Sequence, residues 1–489
     1  MAPLVRRLSD GAGYARSELA PHRTWHSGLL RPVSSSDEDD EMRWLPFGEA
    51  FEAMLATTGP SGAAGLDAAA TANPDAAAAS EDPAGGFLAD PRVSRRVAAA
   101  LAVAIEGGDL SVAQTELLLG ARGADLAAVC VAADVVRRRL VGSAISYVVC
   151  RNINYTNRCQ YACSFCAFSK GTMEAKGAAY DVEHTEVARR VSEAWRRGAT
   201  EVCMQGGIDP RYDGQSYVGY LRAALDEVPQ MHVHAFSPLE VAQGAVALGV
   251  STASYLSTLK AAGLGSLPGT SAEILSDPVR AEICPDKLSA RGWTDVLGEA
   301  HAAGLPTTST IMFGHTEGYA SVARHLVRLR LQQERSVRAA HPAAITEFVP
   351  LPFVHPEAPV YRKGLARPGP TIREAVLVHA VARLALPNVP SVQTSWTKMG
   401  ATGAAMALRA GANDLGGTLM SESISRAAGA AHGQEMTPAG MQAIVAGLPL
   451  DPGGAKRSAW QRTTLYAAAG EERKQAAAQA GPLLPVAVG

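Results

Sequence analysis

Apolar residues recur at helical spacing through Val93, Val97, Leu101 and Ile105, and Gly107-Gly108 stops the pattern. Ser111 with Gln114 then forms a capping-box signature ahead of Leu117, Leu118 and Leu119. A third helix is expected over roughly Leu126 to Leu140, before Gly142. Together these predict a helical layer over residues 87–143, closing one end of the region C-terminal to it. From about residue 145 the pattern changes to short apolar runs separated by helical periodicity. Strands are expected at Ile145 to Cys150, Glu201 to Gln205, His232 to Phe236 and Ala272 to Leu275. The series continues at Thr308 to Phe313, Thr346 to Pro350, Ser391 to Ser395 and Asn413 to Leu415. Eight strands alternating with helices, such as Val187 to Arg196 and Leu288 to Ala302, argue for an α/β fold. The expected form is a parallel (β/α) TIM-type barrel over residues 144–435. In such barrels the catalytic groups sit on loops after the strand C-terminal ends.

Outside this region the pattern fades. Residues 59–86 are dominated by Ala, Gly, Pro, Ser and Asp and read as a flexible linker. Residues 1–58 read as an extension and a candidate targeting segment. Arg6, Arg7, Arg16, Arg23 and Arg31 suit a transit peptide, while Asp10 and Glu18 count against one. Residues 436–489 form a C-terminal extension. With 47% hydrophobic residues in 489, a sizeable core is available and a wholly disordered chain is excluded. The formal charge of −2 gives no bulk reason to expect nucleic acid or an anionic membrane as partner. No apolar run is long enough to cross a bilayer. Seven cysteines without a secretory signal pattern point to a reducing compartment. The expected location is cytoplasmic, or an organelle stroma or matrix if the N-terminus is a transit peptide.

Three of those cysteines carry the strongest chemical signal. Cys159, Cys163 and Cys166 are spaced CxxxCxxC in one short segment after the first expected strand. Thiolates suit an iron–sulfur cluster, and one compact loop can hold three irons of a cubane. The fourth iron then lacks a protein ligand, which leaves the open site that reductive cleavage of S-adenosylmethionine (SAM) requires. A zinc site is the competing reading. Zinc prefers four ligands, and His184, which could supply the fourth, lies in a polar stretch without ligand-like spacing. Cys130, Cys150, Cys203 and Cys284 are scattered and read as small buried hydrophobes.

Polar groups follow other strands in the same way. Gly206-Gly207 after the second would let a ligand approach the backbone closely. His232 and His234 alternate on the third, so they share a face, with Ser237 and Glu240 just beyond. His355 and Glu357 follow the sixth strand, Gln393, Ser395 and Trp396 belong to the end of the seventh, and Glu422 and Ser423 follow the eighth. If that face lines the barrel interior, His232 or His234 could serve as a proton donor or substrate anchor, against the plainer reading of either as a hydrogen-bonded structural histidine. His234 and, by its position, His355 are the catalytic candidates.

The runs NINYTNRCQYACSFCAFSKG, TEVCMQGGIDP, HVHAFSPLEVA, ICPDKL, TSTIMFGHTEG, TEFVPLPFVHPEAP, AGANDLGGTLMSESISRAAGAAHGQEM and QRTTLY resemble one family. It is the tyrosine-utilising radical SAM component of FO synthase, 5-amino-6-(D-ribitylamino)uracil–L-tyrosine 4-hydroxyphenyl transferase. In actinobacteria and some algae it forms the C-terminal half of a fused FO synthase, which implies a fusion-linker remnant as the other reading of residues 1–58. The resemblance spans about residues 92 to 466, with a single CxxxCxxC and so one of the two radical centres. It implies a 4Fe-4S cluster on Cys159, Cys163 and Cys166, with SAM as second cofactor. Phe165, Gly206 and Gly207 would neighbour that cofactor. Gly314 and Glu317 match part of a G-x-I-x-G-x-x-E pattern that contacts adenine in radical SAM enzymes, with Thr310 and Met312 at its first two positions. Glu317 joins His234 and His355 as a catalytic candidate.

The implied substrates are L-tyrosine and 5-amino-6-(D-ribitylamino)uracil. The implied product leads to 7,8-didemethyl-8-hydroxy-5-deazariboflavin (FO) and coenzyme F-420. A reductant or electron-donor protein and the partner FO synthase component are the implied protein partners. Asp209 stands where GGIHP usually has histidine, Pro356 where methionine is usual, and Ser421 where asparagine is usual before ESIS. A radical SAM enzyme of the futalosine route to menaquinone shares the barrel and cysteine loop and is the nearest alternative. A non-catalytic iron–sulfur protein is the alternative from a different class.

Overall fold

The computed structural model describes residues 85–171, 179–451 and 454–462. The N-terminal extension, most of the expected linker and the tail beyond residue 462 lie outside the described residues. β1 (Ala144–Val148) and β2 (Cys150–Asn154) are two halves of one barrel strand, interrupted at Val149. β2 pairs with β3 (Glu201–Gln205), and β3 with β4 (His232–Ala235). Across the barrel, β5 (Thr307–Phe313) pairs with β6 (Ile345–Pro352), and β6 with β7 (Ser391–Val392). β8 (Asp414–Gly417) returns to β1. Single-residue bridges complete the ring, from His234 to Ser266, Leu267 to Thr307, Gln393 to Asp414 and Met420 to Arg151. All of these pairings are parallel, and every residue of β4 and β8 is buried, as helices covering a parallel sheet require.

The fourth barrel position departs from expectation. Ser266 and Leu267 fill it, and Ala272 to Leu275 is not a strand. Ser271 and Glu273 have φ of 65° and 44°, outside extended geometry. The buried Arg280 guanidinium takes the carbonyls of Ser271, Ala272 and Ile274 at 3.3, 2.5 and 3.4 Å. Those oxygens are therefore withdrawn from any sheet ladder. A short apolar run does not by itself distinguish these outcomes.

The helical layer comprises Arg95–Ile105, Val112–Leu119 and Gly123–Val141. Its expected capping box is present: Gln114 N–H donates to Ser111 Oγ at 3.2 Å, and Ser111 N–H to Gln114 Oε1 at 2.9 Å. The layer is tied to the barrel's outer helices, with Arg330 donating to Leu110 O at 2.8 Å and Arg373 to Ala121 O at 3.1 Å.

β9 (Ser458–Arg462), from the expected C-terminal extension, pairs in parallel with β1 on the side away from β8. It delivers the buried Arg462, whose Nη2 lies 2.9 Å from Asp414 Oδ2. Asp414 begins β8, Glu201 begins β3, and Glu347 lies near the start of β6. These buried acids therefore gather toward the strand N-terminal ends.

Candidate active site at the barrel mouth

The cysteine loop leaves the C-terminal end of β2 and is pinned by backbone hydrogen bonds from distant segments. Gln160 N–H reaches Ile208 O at 2.9 Å, Gly207 N–H reaches Thr156 O at 2.9 Å, and Ser164 N–H reaches Ile283 O at 2.9 Å. Cys159, Cys163 and Cys166 are half-buried and line one cavity with Phe165, Gly206 and Gly207. Burial pushes the Cys163 thiol up to about 12 and raises Cys166, so a metal must displace protons to bind them. Ser169 N–H donates to Cys166 Sγ at 3.4 Å, a contact that favours thiolate there.

Three thiols of one loop lining one cavity are donors of the kind an iron–sulfur cluster takes, and each would meet a different iron. His184, the residue that a zinc site would have needed as fourth ligand, is exposed and packs edge-on against Tyr220 at 4.8 Å, apart from the cysteine cavity.

Gly206 and Gly207 line the cavity, but the demand for glycine comes from the protein itself. A Cβ at Gly207 would overlap the Arg158 carbonyl, and one at Gly206 would overlap the Tyr155 ring. The two glycines thus lock the β3 loop against the cysteine loop. Glu240 holds the same loop, accepting Gly206 N–H at 3.2 Å, Ser237 N–H at 2.7 Å and the Tyr155 hydroxyl. Ser237 caps the helix Pro238–Leu248, and both Ser237 and Glu240 line the cavity.

Several expected residues lie elsewhere. His234 lies deeper in the barrel, bonded through Nδ1 to Ser266 Oγ at 2.7 Å, and burial with Arg462 nearby lowers it to about 3. It is neutral and does not line the cavity. Glu317 takes Gly314 N–H at 2.6 Å and His315 N–H at 2.9 Å, with His315 Nδ1 at 3.2 Å. Gly314, at φ 97°, lies where a Cβ would overlap Pro370. Neither residue lines the cavity; they organise the turn after β5, whose Thr310 and Met312 do. His355 is buried against the Tyr361 ring at 4.4 Å, while its neighbours Phe353 and Val354 reach the cavity. Asp209 is buried and held by Arg211, also outside the lining.

Two lysines that sequence reasoning did not single out do line it. Lys287 Nζ lies 2.6 Å from Glu273 and 5.3 Å from the Phe165 ring centre. Its run, ICPDKL, is part of the resemblance, but nothing in the run says that Lys287 turns inward. Lys398, on the turn after β7, belongs to no motif.

A parallel barrel with a CxxxCxxC loop at its mouth defines the radical SAM class. Residues 153–329 match the Radical SAM superfamily model, and residues 343–455 match the CofH/MqnC C-terminal region. The structure of HydG, a maturase of the FeFe-hydrogenase, shares the fold with a TM-score of 0.54 at 14% identity, covering 69% of this chain and 72% of that one. FO synthase of Streptomyces coelicolor is 46% identical over 402 residues, 81% of this chain. That match covers only 44% of the relative, so this chain spans less than half its length. The 5-amino-6-(D-ribitylamino)uracil–L-tyrosine 4-hydroxyphenyl transferase of Methanothermobacter thermautotrophicus is 45% identical over 322 residues, 66% of this chain and 86% of that protein. The chain belongs to the family of this transferase. Among the described residues no helix is long and apolar enough to cross a membrane.

Proposed function

We propose that the chain joins the 4-hydroxybenzyl group of L-tyrosine to 5-amino-6-(D-ribitylamino)uracil, a step toward FO and coenzyme F-420. One observation carries this reading: three thiols of one loop share a cavity with polar groups from several strand ends. The identity to the named transferase over most of its length supplies the substrates. Cys159, Cys163 and Cys166 would hold a 4Fe-4S cluster, which together with SAM would supply the radical chemistry that takes hydrogen from tyrosine.

The chain's own residues bind, orient and shield. Glu240 fixes the Gly206-Gly207 backbone beside the cysteine loop, so the two loops hold one geometry. Lys287, paired with Glu273, places a held cation next to Phe165 and the cysteines. Phe165, Leu239, Met312, Phe353 and Val354 give the cavity apolar walls that exclude water from a reactive intermediate. The reading requires an electron donor and a second radical SAM component to close the ring system.

The CofH/MqnC match fits a second reading, a radical SAM enzyme of the menaquinone route. Anaerobically reconstituted protein with SAM, reductant, tyrosine and the ribitylaminouracil separates the two. Tyrosine consumption with a new adduct by mass spectrometry is the expected result. Cleavage of SAM with tyrosine left intact would overturn the assignment.

A further inference from the structure

Two ammonium groups line the cavity, and their surroundings differ. Lys287 has a carboxylate partner in Glu273 at 2.6 Å. Lys398 donates to Ser425 Oγ at 2.6 Å and makes no ion pair among the described residues. An ammonium carries three N–H groups, so two remain to be met. Burial disfavours its charge while Glu422 nearby favours it. Glu422 is turned to the Ser425 N–H at 2.8 Å and makes no direct ion pair with the ammonium, so an anionic ligand would offset the remaining cost of sheltering that cation.

The lysine is also held in place before any ligand arrives. It sits in a single helical turn that Gly400, at φ 66° and ψ −179°, separates from the rest of the helix Trp396–Arg409. A Cβ at Gly400 would come within 2.9 Å of the His432 ring, so both the positive φ and the close packing ask for glycine there. Trp396 Nε1 fastens the turn to Gly417 O at 2.9 Å. Ile424 and Ala428 line the cavity beside Ser425 and offer an apolar wall next to the cation.

We propose that Lys398 and Ser425 form the subsite for the α-carboxylate of the amino-acid substrate, with the aromatic ring running along the apolar wall toward the cysteine loop. This rests on the tyrosine reading above. A charge-assisted hydrogen bond to a fixed ammonium adds selectivity for a carboxylate that an apolar cleft lacks.

The test compares L-tyrosine with tyramine, which keeps the ring and amine but lacks the carboxylate. Dissociation constants are measured for the cluster-loaded, SAM-saturated protein, for Lys398→Met and for Lys398→Arg. The wild type should prefer tyrosine. Lys398→Met should weaken tyrosine about 10- to 100-fold, the range for a hydrogen bond to a charged group, and leave tyramine unchanged. Lys398→Arg should restore part of the preference, and SAM affinity and the melting temperature should stay at wild-type values. A Lys398→Met protein that keeps the wild-type tyrosine-to-tyramine ratio overturns the subsite, as does one that loses SAM affinity instead. A wild-type protein that binds neither compound overturns the tyrosine reading itself, and the subsite with it.

Discussion

The two ends of this barrel both carry charged side chains, yet they do opposite things. At the mouth, Lys287, Glu273, Glu240 and Lys398 border an open cavity and hold loops around it. Toward the strand N-terminal ends, Glu201, Glu347 and Asp414 crowd together, with Arg462 from β9 brought to Asp414. Burial pushes Glu201 up to about 7 and raises Glu347 and Asp414, while Arg462 opposes each shift. A polar group inside a barrel is therefore not by that fact a catalytic one. Its role depends on which end of the strand it occupies and on what segment closes that end.

The largest expected effect breaks the mouth alone. Cys166→Ser should abolish the iron–sulfur absorbance and product formation while shifting stability by no more than about 1 kcal/mol. A variant that keeps its cluster spectrum would show that the mouth is not built around this thiol.

Breaking the closed end should do the reverse. Arg462→Met removes the guanidinium from among three buried acids and should cost about 3–5 kcal/mol in chemical denaturation. Loss of less than about 1 kcal/mol would mean that β9 does not hold that end.

The same end should respond to pH. Glu201 has a folded-state value of about 7 against 4.5 when unperturbed. The folded chain therefore binds its proton more tightly than the unfolded chain. The contribution is fully present below about pH 4.5 and is lost as pH rises through about 7. Glu201→Gln cannot ionise, so its stability relative to wild type should rise by about 3 kcal/mol between pH 4.5 and 8. A difference that stays flat across that range would contradict the assigned shift.

The smallest effect returns to the mouth. Ser421, in the loop after β8, has φ 69°, a left-handed conformation that asparagine adopts more readily than serine. Ser421→Asn should raise stability by about 0.5 kcal/mol without moving the cluster spectrum. An equal melting temperature for both proteins would remove that account of the departure from the family pattern.

Much of this molecule is legible from residues close together in the chain. The Ser111–Gln114 capping box, the β3 run and the cysteine loop each depend on spacings of a few residues, and each is present in the structure. The run Ala272 to Leu275 misleads because Arg280 takes its carbonyls, a competition that apolar pattern does not encode. His234 misleads for a related reason. Alternation tells which face it shares with His232, but not how deep on the strand that face lies.

By itself, then, the order of amino acids determined the radical SAM class, the three thiols and the alternation of strands and helices. Local spacing and short-range periodicity are enough for these. Only the tertiary structure decided that Lys398 and Lys287 reach the cavity, that His234 and Glu317 do not, and that Arg462 answers the acids at the far end. Those outcomes depend on strand stagger and on contacts between segments far apart in the chain, such as Arg462 with Asp414, which no local window contains.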